Sequence, residues 1–317
     1  MWETILQIFP YAIAYTVPLL IVALGGLYCE RSGIVNIGLD GLMIVGSFAG
    51  ALTISSLQNQ YGTAVWTIFV GLLVAALVGA LFSLLHAFAS INLKANQTIS
   101  GTAINMLSAA ITLFLARNIT GSGNIVLTVG LAKKNITGLS KIPVIGPLFF
   151  KNSYATTWIV LLILIILSYV LYKTAFGLRL RACGEHPHAA DAAGINVGKM
   201  RYIGVLISGA LSGLGGAIYL VTIAGEFNGS VAGIGFLALA ALIFGQWKPL
   251  GILGSTFFFG FATTIANVSQ VIPSLATIPP LVLKVFPYVV TLLALIVFSK
   301  SSQAPKASGE PFDHGKR

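Results

Sequence analysis

Residues 155–172, ATTWIVLLILIILSYVLY, run directly into residues 173–201, KTAFGLRLRACGEHPHAADAAGINVGKMR. The first stretch is apolar and long enough to cross most of a bilayer as a helix. The second stretch, here called the basic island, carries five of the 18 lysines and arginines, and further apolar runs follow it. Short basic loops between membrane spans stay in the cytoplasm. The two stretches therefore predict a membrane-spanning helical protein with the basic island on its cytoplasmic side.

The composition of the whole chain agrees with this prediction. Of 317 residues, 56% are hydrophobic and 8% are charged, and the mean hydropathy is +0.93. Soluble domains carry about 25% charged residues. The net charge is +10, and the lysines and arginines that produce it lie mainly in loops, where the positive-inside rule and anionic lipid headgroups favour them. We therefore predict an all-α polytopic membrane protein in contact with the lipid bilayer, and no nucleic-acid partner.

The apolar runs predict about nine transmembrane helices, with eight to ten as the range, in a membrane domain over residues 1–300. A helix needs about 20 residues at 1.5 Å each to cross about 30 Å of hydrocarbon. The run 233–245 is too short for this and predicts a tilted, broken or re-entrant segment. Residues 301–317 are polar and predict a disordered cytoplasmic tail. The runs are 10–29, 34–57, 63–91, 98–117, 155–172, 202–224, 233–245, 251–270 and 281–298.

The distribution of lysine and arginine also predicts which loops share a face. With the basic island inside, Arg31, Lys94, Lys248 and the tail lie inside, whereas Glu226 and residues 118–153 lie outside.

Residues 33–42, GIVNIGLDGL, are weakly similar to residues 233–242, GIGFLALAAL. The two segments enter the membrane from opposite sides, which is the pattern of an inverted repeat in transporters. Chance similarity between two Gly- and Leu-rich segments is the alternative.

Polar residues inside the spans are the candidates for a solute pathway. An Asp at the centre of a membrane helix costs about 2.5–3.5 kcal/mol on insertion scales, so it should face a cavity or a partner. Hydrogen bonds from such residues either bind a neutral, hydroxyl-rich solute or join one helix to another. For Asp40, a structural cap or a pair with Arg31 is the structural alternative. The candidate pathway residues are Asn36, Asp40, Thr102, Asn105 and Asn267.

Several motifs of enzymes and ATP-binding proteins are missing from the sequence. It has no Gly-x-x-x-x-Gly-Lys-Ser/Thr loop for ATP phosphates, no HExxH motif and no nucleophile elbow. His186 and His188 lack further metal ligands nearby, so we expect no metal site. The Ala-rich stretch from Glu185 to Gly194 predicts a short surface helix that touches another protein. A chain that has a docking helix but no ATP-binding motif of its own fits a transporter whose energy source is carried on a separate protein.

Three segments in order along the chain resemble bacterial ABC importer permeases. Residues 184–195, GEHPHAADAAGI, are similar to the coupling pattern GENPxAAxxxGI, and residues 30–41, ERSGIVNIGLDG, to the signature ERxGxxNIGxEG. Residues 235–251, GFLALAALIFGQWKPLG, match a third motif of the same family. The resemblance is to the branched-chain amino acid and sugar permease superfamily, in its nucleoside and simple-sugar branch. Asp40 stands where that branch usually has Glu, and His188 where a basic or polar residue is common.

The resemblance implies a non-catalytic permease subunit of an ATP-driven importer in the bacterial cytoplasmic membrane. The implied partners are an ATPase subunit that holds ATP and Mg, a second, non-identical permease chain, and an extracellular substrate-binding lipoprotein of the basic-membrane-protein type. This chain itself is expected to bind no cofactor. The implied ATPase-coupling residues are Arg181, Gly184, Glu185, Pro187, Ala189, Ala190, Gly194 and Ile195.

The solute follows from the small number of charges in the spans, which disfavours a strongly charged molecule. A small neutral solute is expected, and among the solutes that the resemblance implies, purine nucleosides such as guanosine come first and ribose-like sugars are the alternative. A stand-alone carrier or channel, working without any ATPase, is the third class.

Overall fold

The structure, a computed structural model, describes residues 2–268 and 303–313, together with 279, 281–283, 285, 286 and 289. The described part is all-α apart from one pair of two-residue strands, β1 (Ile125–Val126) and β2 (Glu226–Phe227), which are antiparallel. The α-helices with assigned bounds are α1 (Trp2–Arg31), α2 (Leu39–Tyr61), α3 (Val65–Ala87), α4 (Gln97–Thr120), α5 (Ala155–Lys173), α6 (Ala175–Glu185), α7 (Pro187–Ala192), α8 (Val197–Tyr219), α9 (Ile234–Phe244) and α10 (Pro249–Val268). Short π-helices, Phe88–Asn92 and Leu220–Ala224, continue α3 and α8.

Seven helices of the described part are long and apolar enough to cross a membrane, namely α1–α5, α8 and α10. The short run 233–245 forms α9, whose 11 residues are fewer than a spanning helix needs. The predicted span 281–298 lies largely outside the described residues. The expected all-α membrane fold is therefore confirmed, while the count of about nine spans is not.

Helix α1 lies at the centre of the bundle and contacts α5, α8, α9 and α10. Helices α3, α4 and α5 lie at the periphery, with large apolar side chains such as Leu81, Phe114 and Ile165 exposed. A soluble protein rarely leaves apolar faces of this size uncovered, whereas lipid or another membrane chain covers them in a bilayer.

Close contacts between glycines join α2, α3 and α8. A Cβ atom built on Gly46 would lie 2.3 Å from the Cα atom of Gly213, and one on Gly79 would lie 2.4 Å from the carbonyl oxygen of Gly209. Small residues spaced four apart let membrane helices approach to backbone contact. The small-residue patterns of α2 and α8 therefore serve helix packing.

The helix ends and the loops that join them form two opposite faces of the bundle. At one end, β1 pairs with β2, and Gln58 at the end of α2 donates to the carbonyl of Val129. At the other end, Arg31 contacts Glu185 and the backbone of Trp247, and Lys94 contacts Asp313. These are the groups that the sequence predicted as outside and inside, so we use those names for the two faces.

Two segments differ from the sequence-based prediction. Helix α2 begins at Leu39 instead of Ile34, because residues 32–38 form a buried irregular segment with its own polar partners. The tail was expected to be disordered, whereas residues 303–313 lie against the inside face, with Pro305 and Ala307 buried. Backbone groups of this segment find partners on the membrane domain, which its polar composition did not reveal.

Candidate functional site

The basic island forms two helices with a break between them. Helix α6 begins after Thr174, whose hydroxyl accepts from the amide of Gly177 at 3.2 Å, and it ends at Glu185. Pro187 then opens α7 at a first-turn position, where its missing N–H costs no hydrogen bond. Gly194, with φ of +81°, turns the chain after α7 in a conformation that glycine adopts readily. The predicted short helix of this region is thus present as α7.

Helix α7 presents one face to solvent and the other to the protein. Ala189, Ala192, Ala193 and Gly194 are exposed, whereas Ala190 is buried beside Cys183 and Val197. Burial raises the pKa of the Cys183 thiol to about 11, although the nearby Arg201 acts in the opposite direction. The small side chains on the exposed face leave its backbone accessible to another protein.

The inside end of α1 is tied directly to the basic island. Gly184 packs so closely on α1 that a Cβ atom there would lie 2.4 Å from the carbonyl oxygen of Arg31. Nη1 of Arg31 lies 3.4 Å from Oε1 of Glu185, and Nη2 donates to the carbonyl of Trp247 at 2.9 Å. The indole N–H of Trp247 donates in turn to the buried carboxylate of Glu30. Three segments of the inside face, the end of α1, the end of α6 and the connection before α10, therefore meet in one polar network.

Two of the predicted coupling residues have partners within the chain. Arg181 was expected to face the ATPase, but its Nε donates to the carbonyl of Leu171 at 3.2 Å, and its guanidinium lies over the ring of Tyr172. It therefore satisfies a free carbonyl at the end of α5. Glu185 pairs with Arg31, although 39% of its side chain remains exposed.

Two of the candidate pathway residues, Asn36 and Asn105, form hydrogen bonds that hold the irregular segment 32–38. Asn36 is buried, donates to the hydroxyl of Ser208 at 3.0 Å and accepts from the amide of Gly38 at 3.0 Å. Asn105 donates to the carbonyl of Ile37 at 3.0 Å and accepts from the amide of Gly41 at 2.7 Å. Irregular backbone at membrane depth is tolerated where protein groups satisfy it. Both asparagines hold this segment in place.

Asp40 joins the first turns of two helices. Its Oδ1 accepts from the amide of Gly235 at 2.9 Å, where α9 begins, and the carboxylate lies in the first turn of α2. A carboxylate is stabilised by free N–H groups at helix N-termini. Asp40 therefore makes a structural contact of the kind expected as the alternative to solute binding, but its partner is the start of α9 and not Arg31. The two segments of the suggested repeat meet here, and the inverted repeat itself stays a prediction.

Thr102 and Asn267 remain exposed. The hydroxyl of Thr102 donates to the carbonyl of Thr98, and Asn267 donates to the hydroxyl of Tyr15 at 3.0 Å. Thr102 lies near the inside end of α4 and Asn267 near the outside end of α10, so the two residues do not form a single site.

Sequence reasoning did not identify the partners of four residues that organise this region. Glu30 and Trp247 lie within motifs that had been quoted only for their resemblance, and their contact spans 217 positions along the chain. His86 contacts the carbonyl of Val35 at 3.0 Å, and Gln97 accepts from the amide of Val35 at 2.6 Å. A polar side chain at each of these positions was the available signal, but its partner was not visible without the fold.

These features define a multi-pass membrane protein whose inside face carries a short helix with an exposed surface of small side chains. The chain belongs to the branched-chain amino acid transport system / permease component family, which it matches over residues 8–295. It is a multi-pass protein of the plasma membrane, as its apolar helices and permease relatives indicate.

Two relatives match nearly the whole chain. The guanosine ABC transporter permease protein NupQ of Bacillus subtilis (strain 168) is 47% identical, over 98% of this chain and 97% of its own length. The nucleoside ABC transporter permease protein NupC of Lactococcus lactis subsp. cremoris (strain MG1363) is 43% identical, over 93% of each chain. The nucleoside branch of the resemblance is thereby supported.

A solved structure resembles the fold at low sequence identity. It is a chain of an ABC transporter assigned to the metal-chelate type, in an inward-facing conformation, with a TM-score of 0.50 and 16% identity. The match covers 92% of this chain and 85% of that chain, and it bears on the fold alone.

Proposed function

We propose that this chain is the membrane permease subunit of an ATP-driven importer for nucleosides, with guanosine as the first-choice solute. The observation that carries the proposal is the 47% identity to a guanosine permease over 98% of the chain. Sequence identity at this level over a full-length match supports a shared solute class more strongly than any single residue of the structure does.

Transport energy comes from a separate ATPase, which holds ATP and Mg. This chain carries no phosphate-binding loop of its own. The ATPase docks on the exposed face of α7, where Ala189, Ala192 and Ala193 leave room for a close contact. A second permease chain completes the pathway, and an extracellular binding lipoprotein delivers the solute.

Two short connections carry movement of α7 into the membrane. Helix α8 follows α7 after a few residues, and its start is capped by Asn196, which accepts from the amide of Lys199 at 2.8 Å. The ion pair between Glu185 and Arg31 links the end of α6 to the end of α1. Since α8 packs on α2 and α3 through glycines, a shift of its inside end moves these spans as a unit.

The solute passes along an exposed surface of this chain that faces the second permease. Thr102 and Asn267 retain exposed polar groups on α4 and α10, and each side chain has hydrogen-bonding capacity left for a neutral solute. Asn36, Asp40 and Asn105 act differently, because their polar atoms hold the irregular segment and the start of α9.

Competition for uptake tests the solute class. Cells with and without this chain are given labelled guanosine, with adenosine, uridine, ribose or leucine in excess. We expect uptake that depends on the chain and that nucleosides inhibit. Inhibition by ribose alone would assign the chain to the sugar branch, and inhibition by leucine alone to the amino acid branch.

Substitution on the exposed face of α7 tests the docking site. Ala189→Arg places a long charged side chain on this face without touching the protein interior, so the chain should insert normally, lose co-purification with its ATPase and lose uptake. Ala189→Ser, which adds one hydroxyl at the same position, is the matched control and should retain both. Normal co-purification of the Ala189→Arg variant would show that the ATPase docks elsewhere.

A further inference from the structure

Residues 303–313, here called the C-terminal strap, lie across the inside face and contact segments that are far apart in the sequence. The strap forms three backbone-donated hydrogen bonds of 2.9–3.2 Å to the membrane domain and one ion pair of 3.0 Å. These contacts are Gln303 with the side chain of Gln246, Ala307 with the carbonyl of Gly184, Gly309 with the carbonyl of Gly33, and Asp313 with Lys94.

The strap supplies a hydrogen-bond donor to the end of helix α6. Gly184 lies in the last turn of α6, where carbonyls have no partner within the helix. The amide of Ala307 donates to the carbonyl of Gly184 at 2.9 Å, and Ala307 is buried. The strap is thus fitted to the basic island by buried backbone contacts.

A buried cation in α8 depends on the strap for its partners. Arg201 is 1% exposed, and its Nη1 donates to the carbonyl of Glu310 at 3.0 Å. Its guanidinium lies 5.9 Å from the ring centre of Phe312. Among the residues that the structure describes, no acceptor bonds its Nε or Nη2. Because an uncompensated buried charge is costly, loss of the strap would leave Arg201 poorly satisfied.

Phe312 also reaches the coupling helix. Its ring centre lies 5.2 Å from that of His188 on α7, and the side chain packs on the buried cluster of Cys183, Ala190 and Val197. One aromatic side chain therefore contacts α7 and packs on a cluster whose members come from α6, α7 and the first turn of α8. The exposed docking face of α7, around Ala189, remains uncovered.

We propose that the C-terminal strap positions the coupling helix by locking α6, α7 and the start of α8 into one unit, so that ATPase movement reaches α1 and α8 together. The proposal rests on the assignment of α7 as the ATPase-docking helix. Phe312 is then a positioning residue, since it acts through α7 and touches neither solute nor nucleotide. Without the strap, α7 would move relative to α8, and ATP hydrolysis would be less well coupled to transport.

Thiol labelling of the purified chain, without ATPase, tests whether the strap anchors α7. In a Cys29→Ser background, Cys183 is the remaining cysteine and is buried in the cluster on which Phe312 packs. Phe312→Ala should raise the rate of maleimide labelling of Cys183 about tenfold or more, because truncation of a packed aromatic side chain removes much of its contact energy. Phe312→Tyr keeps the ring, and Lys306→Ala removes an exposed side chain, so both should label at the rate of the parent.

The same variants in the assembled transporter test whether the anchor matters for coupling. We expect Phe312→Ala to keep its ATPase bound but to transport less nucleoside per ATP hydrolysed, with Phe312→Tyr restoring the ratio. Unchanged labelling of Cys183 would refute the anchor, and faster labelling with an unchanged transport ratio would refute its role in coupling. Failure of the docking site is a separate result, since it appears in the Ala189→Arg variant and leaves the labelling experiment unaffected.

Discussion

Gly46→Ala tests the packing that makes α2, α3 and α8 one unit. The added Cβ atom would lie 2.3 Å from the Cα atom and 2.4 Å from the carbonyl oxygen of Gly213, against 3.4 Å for ordinary contact. The two helices must therefore separate by about 1 Å, because both obstructing atoms belong to backbone. Overpacking of this kind costs about 1–3 kcal/mol.

Gly254→Ala is the matched control. Gly254 lies in α10, and a Cβ atom there would meet nothing within 4 Å. Both substitutions gain the same helix preference of alanine over glycine, about 0.5–1 kcal/mol, so this contribution cancels in the comparison. Unfolding of the purified chains in a titration with a denaturing detergent, followed by tryptophan fluorescence, should show Gly46→Ala less stable than Gly254→Ala by about 1–3 kcal/mol. Equal stability of the two variants would refute the backbone contact.

Three further predictions concern the inside face and the start of α9. Trp247→Phe removes the indole N–H that serves the buried Glu30 carboxylate and should lower stability by about 1.5–3 kcal/mol, whereas Trp158→Phe, which loses only a bond to a hydroxyl, should cost about 1 kcal/mol or less; equal losses would contradict the network. Asp40→Asn keeps an acceptor for the amide of Gly235, so it should retain stability and the KM of uptake, whereas Asp40→Leu should lose about 1–3 kcal/mol; a raised KM in Asp40→Asn would instead place Asp40 in the solute site. Since burial raises the pKa of Cys183 from 9.0 to about 11, maleimide labelling in the Cys29→Ser background should still rise severalfold between about pH 10 and pH 11, where an ordinary thiol is already almost fully ionised; a plateau by about pH 10 would show an exposed thiol.

The membrane fold was predictable because each long apolar helix is visible in the sequence as a long run of mostly hydrophobic residues. The spans at α3, α4 and α5 match the predicted runs to within a few residues at most ends. Residues 34–38 were predicted as part of a helix, because their apolar content resembles a span and the segment is buried in the protein. Hydropathy does not distinguish buried irregular backbone from a helix when distant side chains such as His86 and Gln97 satisfy it.

Helix α7 was predictable because proline, alanine and glycine mark its start, its surface and its end within one short segment, whereas its role in coupling stays a prediction. The roles of the individual charges were not predictable, because their partners are distant along the chain. Arg181 bonds the end of α5, and Glu185 meets Arg31 at a separation of 154 residues. Composition likewise predicted a disordered tail, since the contacts of residues 303–313 depend on carbonyls that only the folded inside face presents.

Reconstitution into liposomes tests the central claim most directly. The complete transporter, with its ATPase, both permease chains and the binding protein, is assembled with this chain or without it, and uptake of labelled guanosine is followed with ATP or with a non-hydrolysable analogue. We predict uptake only when this chain, its ATPase and hydrolysable ATP are all present. Uptake by this chain alone, or uptake that continues with the analogue, would contradict the account and identify a stand-alone carrier or channel.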